Sequence, residues 1–197
     1  LFEQNFIYFV SSQFGAALSI EAVDEKELFI IKNSIFIGNS AIKGSADIRI
    51  SNSFANSSKS SPFTFQHEII NSVFLFSKLC PSISSTSYSI VKLANNIFVN
   101  PNMVLSQASS SKSFMMNLTI FNSSKVSSES SVIGGGSFYI DSGSEIYIYD
   151  CLVKGSESEG NGGFLFAFGS KIVIFNTILE KLYAASGGGI FMEKCIA

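Results

Sequence analysis

The sequence predicts an all-β protein: a single-stranded, right-handed parallel β-helix, or solenoid, of about seven to eight coils. Three observations predict this fold. A repeat recurs along the chain, apolar and polar residues alternate within each repeat, and no window carries a sustained helical stripe. In a parallel β-helix each repeat is one coil that stacks about 4.8 Å above the preceding coil, so equivalent residues lie above one another.

The repeat is clearest near the end of the chain, in Gly143–Lys154 (GSEIYIYDCLVK) and Gly169–Glu180 (GSKIVIFNTILE). Both segments contain Gly-Ser, a charged residue, two aliphatic positions, an aromatic residue and then Asp or Asn. Asp150 and Asn176 are 26 residues apart (150 to 176). A shared period of this length is the sequence signature of a repeat architecture.

The Asn or Asp of this template can be followed towards the start of the chain, and the residue two positions before it is apolar in every copy. The aligned residues are Asn33, Asn52, Asn71, Asn95, Asn117, Asp150 and Asn176. We expect them at a tight bend between two strands, because Asn tolerates the left-handed backbone conformation. We also expect their side chains to face inward and to hydrogen-bond from coil to coil as a structural ladder.

A second corner is predicted at glycines that share the period of 26 residues, namely Gly136, Gly162 and Gly188. Glycine suits a backbone with positive φ or a close approach between neighbouring coils. A phosphate-binding loop is the alternative, but no helical pattern follows these glycines. We predict one β-helix domain over residues 1–197, as a segment of a longer chain because the last repeat is cut short.

Composition excludes several classes of function. Charged residues make up 14% of the chain, the net charge is -2 and Arg49 is the single arginine, so nucleic-acid binding is not expected. The apolar runs are far shorter than the roughly 20 residues that span a bilayer. Cys80, Cys151 and Cys195 are too few and too scattered for a zinc site or a disulfide framework, so we predict small core residues and no metal or cofactor.

Catalysis is not expected either. Hydrolases that cleave polysaccharides need clustered acids, and no convergent set of titratable groups is found. Asp47 and Arg49 are interpreted as an exposed ion pair on one strand face, and His67 as a partly buried substitution at a core position rather than a general base. Glu157 and Glu159 are interpreted as a solvated turn rather than a cation site. We therefore predict no catalytic residues.

Acceptor triplets for N-glycosylation begin at Asn56, Asn117 and Asn122. Asn56 and Asn122 are predicted to lie in turns, where a transferase can reach them. Asn117 is predicted to face inward in the ladder and to remain unmodified. Such sites favour an extracellular or cell-surface location.

The Gly-Gly-x-aliphatic corners, together with the element FIGN (Phe36–Asn39), resemble the repeats of chlamydial polymorphic outer-membrane proteins. They are still more similar to the large β-helical surface proteins of ciliates, within the broad pectin-lyase-like group. The resemblance covers about residues 14–197. It implies an extracellular or surface-displayed rod that belongs to a far longer chain.

The leading hypothesis for function is a non-enzymatic, extracellular structural or adhesive rod. The ends of a β-helix expose unpaired strand edges, so we expect end-to-end self-association into a filament or continuation in a longer surface protein. The alternative is a carbohydrate-binding or polysaccharide-degrading β-helix, with glycans as partners. Tyr139, Tyr147 and Tyr149 are the aromatic residues predicted to contact a sugar in that case, with Tyr147 and Tyr149 facing away from the core.

Overall fold

A computed structural model describes residues 2–3, 6–8, 11–12, 17–22, 28–41, 45–52, 66–86, 89–108, 110–125 and 134–196. These residues form 23 strands, numbered β1 to β23 along the chain, and three seven-stranded sheets in which all pairings are parallel. We name them sheets A, B and C. A further pair, β3 (Ser11–Ser12) and β7 (Ser40–Ala41), is also parallel.

Sheet A contains β1 (Phe2–Glu3), β5 (Phe29–Lys32), β9 (Gln66–Ile70), β12 (Ile90–Ala94), β15 (Lys112–Met116), β18 (Glu145–Tyr149) and β21 (Lys171–Phe175). Sheet B contains β2 (Phe6–Tyr8), β6 (Ile35–Ile37), β10 (Val73–Leu75), β13 (Ile97–Val99), β16 (Thr119–Lys125), β19 (Leu152–Asn161) and β22 (Ile178–Ser186). Sheet C contains β4 (Leu18–Ala22), β8 (Ile48–Asn52), β11 (Ile83–Ser85), β14 (Leu105–Gln107), β17 (Phe138–Ile140), β20 (Leu165–Phe168) and β23 (Ile190–Glu193).

The chain visits sheets A, B and C in turn, and each strand pairs with its equivalents in the preceding and following coils. One strand from each sheet makes one coil, so the described residues build seven coils. The predicted all-β fold, a parallel β-helix solenoid, is confirmed. No helix in the described part of the chain is long and apolar enough to cross a membrane.

The core fills the space between the three sheets with columns of stacked side chains. Phe36, Phe74 and Phe98 on sheet B are fully buried, and their rings stack in parallel at 4.8 and 4.6 Å between centroids. On sheet A, Ile31 and Ile69 are buried in the same way, whereas the alternate residues face outward. Alternation of apolar and polar residues therefore decides which side of each strand enters the core.

The first described coils are longer than the sequence alignment assumed, and this overturns the placement of Asn52. β5 pairs directly with β9, so Asn33 and Asn71 belong to successive coils with no ladder position between them. Asn52 ends β8 in sheet C, where it pairs with Ala22. Its surroundings, "RISNSF", imitate the ladder pattern because strands of all three sheets share the same alternation of residues.

The period of 26 residues holds in two of the three sheets. Glu145 pairs with Lys171 in sheet A, and Leu152 pairs with Ile178 in sheet B. In sheet C, Phe138 pairs with Leu165, one residue further along than expected. The register of β19 against β22 shifts between Ser158 and Asn161. This shift cancels the extra residue of sheet C in the next coil.

Candidate functional site

The bends between sheets A and B form a first column, which we call the ladder corner. Its outer residues all adopt left-handed backbone angles, with φ between 46° and 55°. They are Asn33, Asn71, Asn95, Asn117, Asp150 and Asn176. The structure thus brings together six of the seven residues aligned from sequence and excludes Asn52.

The outer side chains of the ladder corner are exposed to solvent, so the expectation that they face inward is wrong. Asn95 Nδ2 donates to Asn71 Oδ1 at 3.1 Å, and Asn117 Nδ2 donates to Asn95 Oδ1 at 2.9 Å. Asn176 Nδ2 donates to Asp150 Oδ1 at 2.7 Å. An ionised carboxylate has no proton to donate, which explains why the ladder is interrupted between Asn117 and Asp150.

A second ladder lies inside the same corner, at the residue that follows each outer residue. Ser34, Ser72, Asn96, Leu118 and Cys151 are buried there. The Ser72 amide donates to Asn96 Oδ1 at 2.8 Å, and Asn96 Nδ2 donates to the Ile69 carbonyl at 2.8 Å. Sequence analysis missed this inner column; its signal was the small or polar residue that follows most of the ladder Asn residues.

Cys151 occupies this inner column and accepts the Leu118 amide at 3.5 Å, while burial raises the pKa of its thiol. Cys80 is also buried, and Cys195 is half-buried. Cys80 and Cys151 are therefore small buried residues of the solenoid wall.

A second column of bends follows the short strands β6, β10 and β13 of sheet B and lies within its long strands β16, β19 and β22. We call it the groove corner, after the surface groove described below. Its outer residues also have left-handed backbones, with φ between 50° and 75°. They are Gly38, Phe76, Asn100, Asn122, Gly155 and Lys181. Each follows a residue of the ladder corner by five positions (33 to 38, through 176 to 181). This constant spacing, rather than residue identity, was the signal that sequence analysis missed.

The inner side of the groove corner holds a buried acid. Asp47 is fully buried, and its carboxylate accepts hydrogen bonds from Asn39 Nδ2 at 2.8 Å and from the Ser77 hydroxyl. Burial raises the pKa of Asp47 to about 6, against the opposing effect of these hydrogen bonds. Arg49 is exposed, so the predicted surface ion pair with Asp47 is wrong.

The predicted corner glycines lie where sheet B passes to sheet C, but their stacking register differs from the expected one. The Gly136 amide donates to the Gly162 carbonyl at 3.1 Å, and a Cβ on Gly136 would overlap the carbonyl oxygens of Gly163 and Glu157. Gly162 has φ of 67°, whereas Gly136 and Gly188 do not have positive φ. Gly136 therefore serves close packing and Gly162 serves a left-handed turn, while a Cβ on Gly188 would meet nothing within 4 Å.

The other acids and the histidine do not converge. His67 is buried on the inner face of β9, directly beside Phe29 and Val91 in neighbouring coils. Glu157 and Glu159 are exposed on β19, a strand rather than the expected turn. Among the described residues, no group of three or more His, Cys, Asp or Glu side chains is arranged to hold a metal ion.

Two of the three tyrosines predicted to contact sugars are engaged within the protein. Tyr139 stacks on Phe166 at 5.3 Å, and its hydroxyl donates to Asp141 at 3.1 Å. Burial and the negative charge of Asp141 raise the pKa of Tyr139 to about 12. Tyr147 stacks on Phe114 at 5.1 Å with Lys112 beside both rings. As expected, Tyr147 and Tyr149 face away from the buried Ile146 and Ile148.

The glycosylation acceptors are distributed differently from the prediction. Asn117 is exposed, so the argument that it is inaccessible is wrong. Asn122 is also exposed, but it lies at a left-handed bend within β16 rather than in a loop. Asn56 lies outside the described residues. The use of these acceptors remains a prediction.

Comparison of the chain with models of protein families, with curated proteins and with solved structures gives no match. The class of the protein, a parallel β-helix, therefore follows from its strand order and register.

Proposed function

We propose that the chain is a non-enzymatic structural rod, displayed outside the cell, that is extended by further β coils stacked on its last coil, β21–β23. The observation that carries the proposal is the exposure of core residues in this coil. Ile174, Leu179 and Ile190 are only half-buried, whereas Ile148, Val153 and Leu165, their partners in the preceding coil, are fully buried. Covering them with another coil buries apolar surface, which is favourable at about 25 cal/mol per Å².

The backbone at this end also supports stacking. A strand edge offers unpaired amide and carbonyl groups that recruit another strand in parallel register. Ile196 already pairs with Lys171 in this way, above β21, and the Ile172 amide donates to its carbonyl at 2.9 Å. The ring of Phe191, stacked on Phe166 at 5.5 Å, ends an aromatic column that a further coil would lengthen.

The occupant we propose is a coil of the same repeat type, from a second copy or from the same polypeptide. The resemblance to pectin-lyase-like surface proteins of ciliates supports an extracellular location and an adhesive or structural role.

Electron microscopy of native material that contains the chain, and of the chain alone, tests the proposal. Seven coils are about 34 Å long, so we expect rods several times this length with an axial repeat of about 4.8 Å. Light scattering should show concentration-dependent association of the isolated chain if copies stack on each other. Rods in native material with a monomeric isolated chain would assign the further coils to the same polypeptide. Discrete short particles in both samples would overturn the proposal.

Variants distinguish stacking through the last coil from nonspecific association. Ile190→Lys and Leu179→Lys place a charge on the open end and should prevent association of the isolated chain. Ile97→Lys is the matched control, because Ile97 is 41% exposed on the flank of sheet B rather than at the end. Circular dichroism verifies that each variant retains its β-structure. Equal loss of association in all three variants would contradict stacking through the last coil.

A further inference from the structure

We propose that the groove corner binds an uncharged oligosaccharide chain that runs along the solenoid axis. Two adjoining cavities of about 440 and 350 Å³ lie there and share Asn100 and Ser124 as lining residues. They extend from Ser77–Leu79 to Lys181–Tyr183. Because these segments belong to five successive coils, the groove is about 19 Å long.

A missing side chain opens the groove. Gly155 stands in the outer column between Asn122 and Lys181, and its φ of 75° favours glycine. A Cβ on Gly155 would lie 2.7 Å from Asn122 Oδ1. The Asn122 amide therefore lies over the glycine, at the floor of the larger cavity.

Ser77 and Ser123 in the groove wall form hydrogen bonds within the protein, but four polar side chains of the larger cavity do not. In the part of the chain that the structure describes, the side-chain amides of Asn100 and Asn122 make no hydrogen bond. Glu157 and Lys181 likewise form no ion pair there, although Lys154 and Glu180 nearby pair at 3.3 Å. The exposed amides of the ladder corner, by contrast, bond to one another.

This combination of groups fits a sugar chain. Each Asn amide offers a donor and an acceptor, which is what a hydroxyl group requires. The ring of Tyr183 is 69% exposed beside the amides and offers an apolar face. Glu157 and Lys181 carry opposite charges at one end of the groove and Lys78 lies at the other end, so the groove has no cluster of charges of one sign. A peptide would need a free strand edge for backbone pairing, whereas β16 and β19 are already paired on both sides along the groove.

The groove lies on the flank of the solenoid, so this inference does not rest on end stacking. The test uses the full chain, ¹⁵N-labelled and produced without glycosylation, because a glycan on Asn122 would fill the groove. The probes are hexasaccharides of β-1,4-linked glucose, N-acetylglucosamine and mannose, with a galacturonate hexamer as the charged comparison. Chemical-shift changes at about 1 mM ligand should appear for at least one neutral hexamer. They should map to Asn100, Asn122 and Tyr183.

Two variants and their controls make the result specific. Asn122→Gly deletes the amide while glycine retains the left-handed backbone, and Tyr183→Ala deletes the ring. Each should weaken binding about fivefold. Asn117→Gly makes the same change at the ladder corner, and Tyr149→Ala removes a half-buried tyrosine from sheet A; neither should change the affinity.

Four results would overturn the inference. They are no shift with any neutral hexamer, shifts centred on Tyr147 and Tyr149, equal or tighter binding of the galacturonate hexamer, or unchanged affinity in both groove variants. A hexapeptide of Gly and Ser that produced the same shifts would assign the groove to polypeptide instead.

Discussion

The ladder corner and the groove corner require the same backbone but use their side chains differently. Both are columns of left-handed residues, and both include exposed asparagines. At the ladder corner the amides bond from coil to coil, whereas at the groove corner Asn100 and Asn122 have no such bonds among the described residues. Backbone conformation therefore explains why Asn occurs at either corner, and the hydrogen bonds of its side chain decide whether it stabilises the solenoid or faces a ligand.

The inner sides of the two corners differ as well. The ladder corner places neutral side chains beneath the bend, where they accept hydrogen bonds from backbone amides of the preceding coil. The groove corner places Asn39 and Ser77 beneath the bend, and both donate to the buried carboxylate of Asp47. The groove corner therefore contains a buried carboxyl group, whereas the inner residues named at the ladder corner include none.

The largest effect is expected for Asn96→Leu at the inner ladder corner. Leucine has a similar size but leaves the Ser72 amide and the Ile69 carbonyl without the hydrogen bonds that Asn96 provides. Each buried polar group left unpaired costs about 1–3 kcal/mol, so we expect a loss of about 4 kcal/mol in the free energy of unfolding. Urea denaturation measures it. Asn96→Ser should recover part of the loss, because Ser72 accepts the Ser34 amide in the same column at 3.2 Å.

Asp47→Asn tests the titratable interior of the groove corner. The pKa of Asp47 is about 6 in the folded chain and 3.8 ordinarily, so the folded chain binds more protons between these values. Stability then falls as the pH rises through this window, by about 3 kcal/mol in total. Asparagine removes this dependence while it keeps an acceptor for Asn39. We expect the variant to exceed wild type in stability at pH 8 and not at pH 4.

Urea denaturation at several pH values between 3.5 and 8 measures this difference. Asp150→Asn serves as the control, because Asp150 is exposed at the ladder corner. A constant difference between Asp47→Asn and wild type across the whole range would contradict a raised pKa at Asp47.

The two corners can be compared directly with Asn95→Ala and Asn100→Ala. Both residues are exposed, and their φ values of 54° and 50° give alanine the same backbone strain. Only Asn95 also loses two side-chain hydrogen bonds, to Asn71 and from Asn117. Because an exposed hydrogen bond contributes about 0.5 kcal/mol, Asn95→Ala should lose about 1 kcal/mol more than Asn100→Ala. Equal losses in thermal unfolding would mean that the ladder bonds add no stability.

Most of the fold could be predicted from the sequence because every coil of a solenoid repeats the same local pattern of residues. The alternation of apolar residues predicted the strands, and the recurring Asn predicted six of the bends. The direction of the ladder side chains was not predictable from alternation alone. Ile31 faces inward and Lys32 outward, so Asn33 should face inward, but a left-handed residue breaks the alternation and turns its side chain to the solvent.

The groove could not be predicted from the sequence, for a different physical reason. It depends on the absence of a side chain at Gly155 and on which residues of unequal coils stack together. Asn122, Gly155 and Lys181 share no residue type, and only their common distance from the ladder residues links them. The opposite error was made at Asn52. The residues around it match the ladder pattern, but its strand pairs in sheet C.

The smallest effect, and the only stabilisation expected at the ladder corner, comes from Asp150→Asn. The wild-type ladder is interrupted there because Asp150 accepts from Asn176 but cannot donate to Asn117. An amide at position 150 supplies the missing donor, keeps the acceptor and tolerates the φ of 55°. The one added hydrogen bond should raise the free energy of unfolding by about 0.5 kcal/mol. The double variant Asp150→Asn with Asn117→Ala removes the acceptor for that bond, so the gain should vanish in this background. If it persists there, the stabilisation comes from the lost charge rather than from the completed ladder.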